Sequence, residues 1–182
     1  MKKFLLAAVL MLSSVAAFAQ HEVGAFTIQP KVGLNLAKLV GSDIVDTKIR
    51  PAFVAGVECE YQVADIFSLA GGVLYSQQGV KIKNADQKAQ LDYINVPILA
   101  NVYVVKGLAV KAGVQPGFNV RHKTKEGGIT ADMPNVNKVD LTIPVGLSYE
   151  FCNVVVDARY NWGLTKVIKE QKVRNSVFQF TV

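Results

Sequence analysis

Residues 153–164, with the sequence NVVVDARYNWGL, alternate between apolar and polar side chains. Apolar and aromatic residues occupy the even positions, whereas Asp157, Arg159 and Asn161 occupy odd positions. A period of two is typical of a β-strand, because successive side chains of a strand point to opposite faces of the sheet. The stretch therefore predicts a strand with one apolar and one polar face, and the question is which face points inward.

The same alternation recurs along the chain in segments that are mostly longer than the roughly five or six residues usual in soluble sheets. Eight strands are predicted, at residues 26–37, 51–63, 67–79, 91–105, 108–120, 139–151, 154–166 and 175–182. Short turns at 64–66, 106–107 and 152–153 alternate with long connections. This layout is typical of an outer-membrane barrel, in which turns lie in the periplasm and loops lie outside.

The two faces of these strands differ in a way that favours a membrane barrel. The apolar faces hold almost no polar atoms, and the polar faces combine charges with glycine. A soluble lipocalin-like barrel would bury the apolar face, whereas a charge facing lipid at mid-depth costs about 2–4 kcal/mol. Because hydrocarbon offers no hydrogen-bond partners, the sheet must also close. The sequence predicts an all-β fold, an eight-stranded antiparallel up-and-down transmembrane β-barrel with an apolar exterior.

The first residues of the chain have the pattern of a secretory signal peptide. Lys2 and Lys3 precede an apolar run, and Ala17-Phe18-Ala19 supplies small residues for cleavage. We therefore predict a signal peptide at 1–19 and a barrel domain at 20–182, with export to the outer membrane. The later sequence contains no apolar stretch of about 18 residues that would form a membrane-spanning helix.

Charged residues on the polar faces form a predicted interior network. Its members are Lys31, Glu58, Glu60, Lys111, Glu150, Asp157 and Arg159, with Asp140 on the same side. They are consistent with an ion path or with a salt-bridged plug. Eight strands leave an interior only wide enough for side chains, and buried charges of both signs must pair, so the sequence favours the plug.

Aromatic residues gather toward the ends of the predicted strands, as expected for the girdles at the two membrane interfaces. The predicted lipid-facing aromatics are Tyr61, Tyr75, Phe118, Tyr149, Tyr160 and Trp162. Ordinary core packing is the alternative interpretation of the same residues.

The long connections at 38–50, 80–90, 121–138 and 167–174 carry an excess of lysine and arginine, while the rest of the mature chain carries an excess of acidic residues. Basic outer loops would lie among lipopolysaccharide phosphates, with which these cations pair. Ordinary solvated loops explain the charge equally well. The expected partners are outer-membrane lipids, lipopolysaccharide and a protein partner of the loops. Nucleic acid is not expected, because the chain is exported and has no aromatic–basic motif.

Few residues are suited to catalysis. The histidines are His21, beside the cleavage site, and His122, in the third long connection. A lipid-modifying enzyme would need a serine–histidine pair near the outer rim, for which His122 and Ser76 are the candidates, although no motif connects them. No metal-ligand spacing occurs and no cofactor is expected. The chain is predicted not to be an enzyme; a small-molecule binder or minor pore is the other alternative.

Several segments resemble the PorT-like outer-membrane β-barrel family of Bacteroidetes, which consists of small eight-stranded barrels. They are KVGLNLAKLVG (31–41), LYSQQGVKIK (74–83), LDYINVPILANVYV (91–104), IPVGLSYEF (143–151) and DARYNWGLTKV (157–167). The resemblance implies an eight-stranded barrel in the outer membrane without enzymatic activity, and the member that names the family is tied to protein secretion; we also expect a monomer. One departure is the C-terminus SVFQFTV, in which Phe180 stands two places before the end, whereas such barrels usually close on an aromatic residue.

Overall fold

The computed structural model describes residues 22–41, 47–82, 87–126, 129–132, 135–167 and 173–182. Eleven antiparallel strands form one sheet. The strands are β1 (Phe26–Gly41), β2 (Thr47–Lys48), β3 (Arg50–Ala64), β4 (Phe67–Ile82), β5 (Gln87–Asn95), β6 (Ile98–Val105), β7 (Leu108–Glu126), β8 (Ile129–Asp132), β9 (Val139–Phe151), β10 (Val154–Gly163) and β11 (Val173–Thr181). The predicted signal peptide lies outside the described residues.

These eleven strands occupy eight positions around a barrel, and we call each position a stave. β2 and β3 both pair with β4, and β5 and β6 both lie between β4 and β7. β8 and β9 both pair with β7. β1, β4, β7, β10 and β11 each form one stave alone. The prediction of an all-β, antiparallel, up-and-down architecture is confirmed.

The sheet closes between its first and last strands. β1 pairs with β3 on one side and with β11 on the other, and β11 pairs with β10. Val32 and Val182 exchange both backbone hydrogen bonds, at 3.0 and 2.9 Å. Closure matters because an open edge in hydrocarbon would leave peptide groups unpaired.

The apolar face points outward, as the sequence predicts. On β10, Trp162 is 56% exposed, whereas Asp157 is 0% and Arg159 is 1% exposed. On the neighbouring strand β9, Leu147 is 52% exposed. Polar side chains fill the interior and apolar ones cover the outside, which is the reverse of a soluble barrel.

The structure differs from the prediction in detail. The predicted strand at 91–105 is divided at Val96-Pro97 into β5 and β6, although the Val96 N–H still donates to the Pro116 carbonyl at 2.8 Å. β7 runs on to Glu126 and pairs with β8, so part of the third long connection is a strand hairpin.

At the turn between β9 and β10, Cys152 and Asn153 both have positive φ, as a two-residue hairpin turn requires. Cys59 and Cys152 form no disulfide.

A cavity of about 320 Å³ lies at the short-turn end of the barrel wall, between β1 and β10, and is lined by Gln29, Lys31 and Val155 among others. Phe180 is exposed on the outer face, two residues before the end. β11 pairs with both β1 and β10 and so completes the ring.

Gly33 lies at the seam between β1 and β11, and replacing it with alanine is expected to impair closure. A Cβ atom there would overlap the Phe180 carbonyl and lie 2.7 Å from the Thr181 Cα, and these backbone atoms cannot move without breaking the seam. We expect a loss of about 1–3 kcal/mol in the free energy of unfolding, measured by urea titration. Gly71→Ala is the control, since its nearest atom would be 3.6 Å away. Equal losses in the two variants would contradict this explanation.

Within the described residues, we find no helix with the length and apolarity needed to cross a membrane.

Candidate functional site

A cluster of five charged side chains crosses the middle of the lumen. Arg159 is at its centre: the Arg159 Nη1 atom lies 2.6 Å from Glu58 Oε1, and the Nε atom lies 2.6 Å from Asp157 Oδ1. Lys31 approaches the same two carboxylates, with its Nζ atom 2.8 Å from Glu58 Oε2 and 3.3 Å from Asp157 Oδ2. Lys111 Nζ lies 3.0 Å from Asp157 Oδ2. We call these five residues the lumen cluster.

The lumen cluster connects strands that are far apart around the ring. Lys31 is on β1, Glu58 on β3, Lys111 on β7, and Asp157 and Arg159 on β10. β7 and β1 lie on opposite sides of the barrel, and Asp157 contacts a lysine from each of them, so the cluster as a whole crosses the interior, while the Lys31–Glu58 pair joins adjacent strands. All five side chains are buried.

Glycines make room for these long side chains. In the strand register, Glu58 is opposite Gly72, and both Lys111 and Arg159 are opposite Gly146. A Cβ atom on Gly72 would lie 2.7 Å from Glu58 Cγ, and one on Gly146 would lie 3.0 Å from Arg159 Cγ. The glycine content of the polar faces therefore has a packing cause.

The two other predicted network members lie nearer the short turns. Glu60 accepts hydrogen bonds from Ser68, from Tyr103 at 2.6 Å and from Asn101 at 2.9 Å. Its partners are thus neutral polar groups, and the described contacts include no ion pair between Glu60 and Lys31. Glu150 is buried close to the turn between β9 and β10.

The loop end of the lumen holds an apolar cluster that sequence reasoning missed. It consists of Leu39, Val80, Ala89, Leu91, Tyr93, Val167 and Val173. Below it, Asp140 accepts a hydrogen bond from Asn175 Nδ2 at 2.6 Å and another from Thr165. The sequence contained one signal for this cluster: Leu91 and Tyr93 are apolar or aromatic residues at positions on the predicted polar, inward-pointing face of their strand. The interior is therefore polar at its middle and apolar toward the loops.

The predicted lipid-facing aromatics differ in the exposed fraction of their side chains on the outer wall. Those with large exposed areas are Tyr61, Phe118, Tyr149 and Trp162. Tyr160 is half-buried against Phe178, with ring centroids 4.7 Å apart. Tyr75 is half-buried as well, and its hydroxyl donates to Asp92 at 2.8 Å.

The structure does not join His122 and Ser76 into a catalytic pair. His122 is exposed on the extension of β7, where its Nδ1 atom lies 3.0 Å from Asn119 Oδ1. Ser76 is buried in the lumen and accepts a hydrogen bond from Asn35 Nδ2 at 2.8 Å. Among the described residues, no cluster of histidine, cysteine and carboxylate side chains has the arrangement of a metal site.

Comparison with known proteins identifies the family. Residues 18–169 match the outer membrane protein beta-barrel domain family, and the chain belongs to that family. The protein is accordingly an outer-membrane β-barrel. No curated protein matches the sequence significantly. The narrower resemblance to PorT-like proteins stays a prediction.

Solved structures of two other barrels share the fold. Neisserial surface protein A is 16% identical with a TM-score of 0.60, over 86% of this chain and 96% of that chain. The attachment invasion locus protein Ail of Yersinia pestis is 14% identical with a TM-score of 0.55, over 88% of this chain and 97% of that chain. A second Ail structure, with a TM-score of 0.53, contains the heparin analogue sucrose octasulfate.

Proposed function

We propose that the protein is a non-enzymatic, non-conducting outer-membrane barrel that acts through its surface, presenting basic extracellular loops to anionic partners. The observation that carries this proposal is the lumen cluster. Its buried ion pairs join opposite walls of the barrel, and the apolar cluster lies above them. A barrel filled in this way offers its outer wall and its loops for interaction, and a monomer suffices for both.

The charge of the loop end supports an anionic partner. The four long connections hold thirteen lysine and arginine residues and six acidic residues. In an outer-membrane barrel this end faces the cell exterior, where lipopolysaccharide phosphates are abundant. The Ail structure with a sulfated heparin analogue offers a parallel on a similar fold. Lipopolysaccharide is therefore the first partner to test, followed by protein partners of the loops.

The two alternative functions have weaker support. A minor pore or small-molecule binder requires an open lumen, but Arg159 and its partners lie where such a path would run. A lipid-modifying enzyme requires a nucleophile beside a base, but Ser76 and His122 have different hydrogen-bond partners in different surroundings.

Single-channel recording in planar lipid bilayers tests the proposal. The purified barrel is expected to produce no stable conductance steps, since ion passage would require separating buried ion pairs. Arg159→Ala serves as a comparison, because it removes the central cation of the lumen cluster. A stable, reproducible current from the unaltered protein would contradict a sealed lumen and favour the pore.

A further inference from the structure

A cavity of about 350 Å³ lies on the outer wall at the loop end of the barrel. Its lining comes from three neighbouring staves and the segment after β10: Val40, Gly41, Trp162, Lys166 and Arg174. Val40, Trp162 and Arg174 occupy even positions, which point outward on β1, β10 and β11. The cavity therefore opens sideways onto the membrane and not into the lumen.

The two ends of this cavity differ chemically. Lys166 and Arg174 are exposed, and neither forms an ion pair with a carboxylate in the described part of the chain. Below them, an aromatic surface continues along the wall from Trp162 to Tyr160 and Phe178. The Tyr160 hydroxyl is hydrogen bonded to Ser176 Oγ at 2.9 Å, so its polar atom is already satisfied. The cavity therefore has two cations at its upper end and an apolar surface below them.

This arrangement matches a lipid with an anionic headgroup. Tryptophan is favoured at the level where acyl chains meet headgroups, and exposed lysine and arginine at this level are placed to bind phosphate. A free anion would gain no binding free energy from the aromatic surface, and an apolar ligand would gain none from the two cations. A ligand with a phosphate above and acyl chains below uses both.

We propose that the residues Val40, Trp162, Lys166 and Arg174 form a binding site for a phosphorylated glycolipid of the outer leaflet, with the chemistry of lipid A. Lys166 and Arg174 bind a glucosamine phosphate, and an acyl chain packs against Trp162 and Phe178. This site deepens the proposed function, since it rests on the loop end facing the outer leaflet.

Trp162 makes the site directly observable, because it is the sole tryptophan of the chain. The full-length barrel is placed in phosphatidylcholine nanodiscs that contain increasing mole fractions of bisphosphorylated lipid A, and Trp162 emission is recorded. Dephosphorylated lipid A and inorganic phosphate in solution are the comparison probes. We expect a saturable change with bisphosphorylated lipid A and none with the two others.

The decisive variant is K166A/R174A, matched by K123A/K138A, which removes two loop-end cations that do not line the cavity. The first pair is expected to weaken lipid A binding about a hundredfold, since each hydrogen bond to a charged group contributes about tenfold and the variant removes two. The second pair is expected to change it by less than about twofold. Heat-modifiable electrophoretic mobility verifies folding, and Arg174→Gln alone replaces the double variant if that one does not fold.

The site would be overturned by the absence of a saturable response of the unaltered protein, by equal binding of dephosphorylated lipid A, or by equal saturation by inorganic phosphate. Equal weakening by the two double variants would also overturn it. In that case the proposed function would stand, because the basic loop end as a whole would hold the lipid. A conducting barrel that still binds lipid A through Lys166 and Arg174 would overturn the sealed lumen and leave the site intact.

Discussion

Replacing Arg159 with alanine is expected to lower the free energy of unfolding by about 3 kcal/mol. Breaking a buried ion pair by removing one partner costs about 3–5 kcal/mol, because it leaves an uncompensated buried charge. Here Glu58 and Asp157 keep contacts with Lys31, at 2.8 and 3.3 Å, which places the expected loss at the lower end. Urea titration in lipid vesicles, followed by heat-modifiable electrophoretic mobility, measures the change.

Arg121→Ala is the matched control, because it makes the same chemical change at an arginine whose side chain is about half exposed. Arg121 Nη1 lies 3.8 Å from Asp92 Oδ2, its side chain is 49% exposed, and the buried Asp92 carboxylate keeps the hydrogen bond from the Tyr75 hydroxyl when Arg121 is removed. Such pairs contribute about 0–1 kcal/mol. Arg159→Lys should fall between the two, since lysine keeps the charge but cannot contact both carboxylates with a planar fork. Similar losses for Arg159→Ala and Arg121→Ala would show that the lumen cluster does not stabilise the barrel.

Replacing Leu147 with arginine is expected to lower the free energy of unfolding by about 2–4 kcal/mol, the cost of a cation on the lipid face near the bilayer midplane. Leu147 points outward on β9, four residues before the end of that strand, and is paired with Ala158 in the middle part of β10 and with Val110 of β7. In a soluble protein, arginine at such an exposed position would change the free energy of unfolding very little. The variant therefore tests the orientation of the wall, again by urea titration in lipid vesicles.

Val105→Arg serves as the depth control for this experiment. Val105 is also exposed, but it is the last residue of β6 and lies beside the short turn to β7. Near an interface the cost of a cation falls to about 0–1 kcal/mol. Equal effects of Leu147→Arg and Val105→Arg would mean that the cost of a cation on the outer wall does not depend on its depth in a membrane, and the transmembrane interpretation would fail.

Much of the fold is encoded locally. The period of two in residues 153–164 determines which side chains of β10 share a face, because a strand has no other way to distribute them. The near absence of polar atoms from one face and the alternation of short and long connections then predict the barrel and its apolar exterior. The break at Val96-Pro97 was not predicted by the alternation, and a proline alone does not produce it, since Pro144 lies inside the continuous strand β9.

The contacts inside the barrel were decided by the tertiary structure. Sequence placed Lys31, Glu58 and Arg159 on inward faces, but only the curvature of the closed ring determines that Arg159 reaches Glu58 on a strand three staves away. The same applies to Glu60, whose partners are neutral, and to the separation of Ser76 from His122.

The outer-wall cavity also depends on closure of the ring. Val40, Trp162 and Arg174 come from β1, β10 and β11, which meet only where the first and last strands pair. Periodicity along one strand specifies the direction of a side chain. Its neighbours across the barrel depend on strand number, register and curvature, and these are properties of the whole sheet.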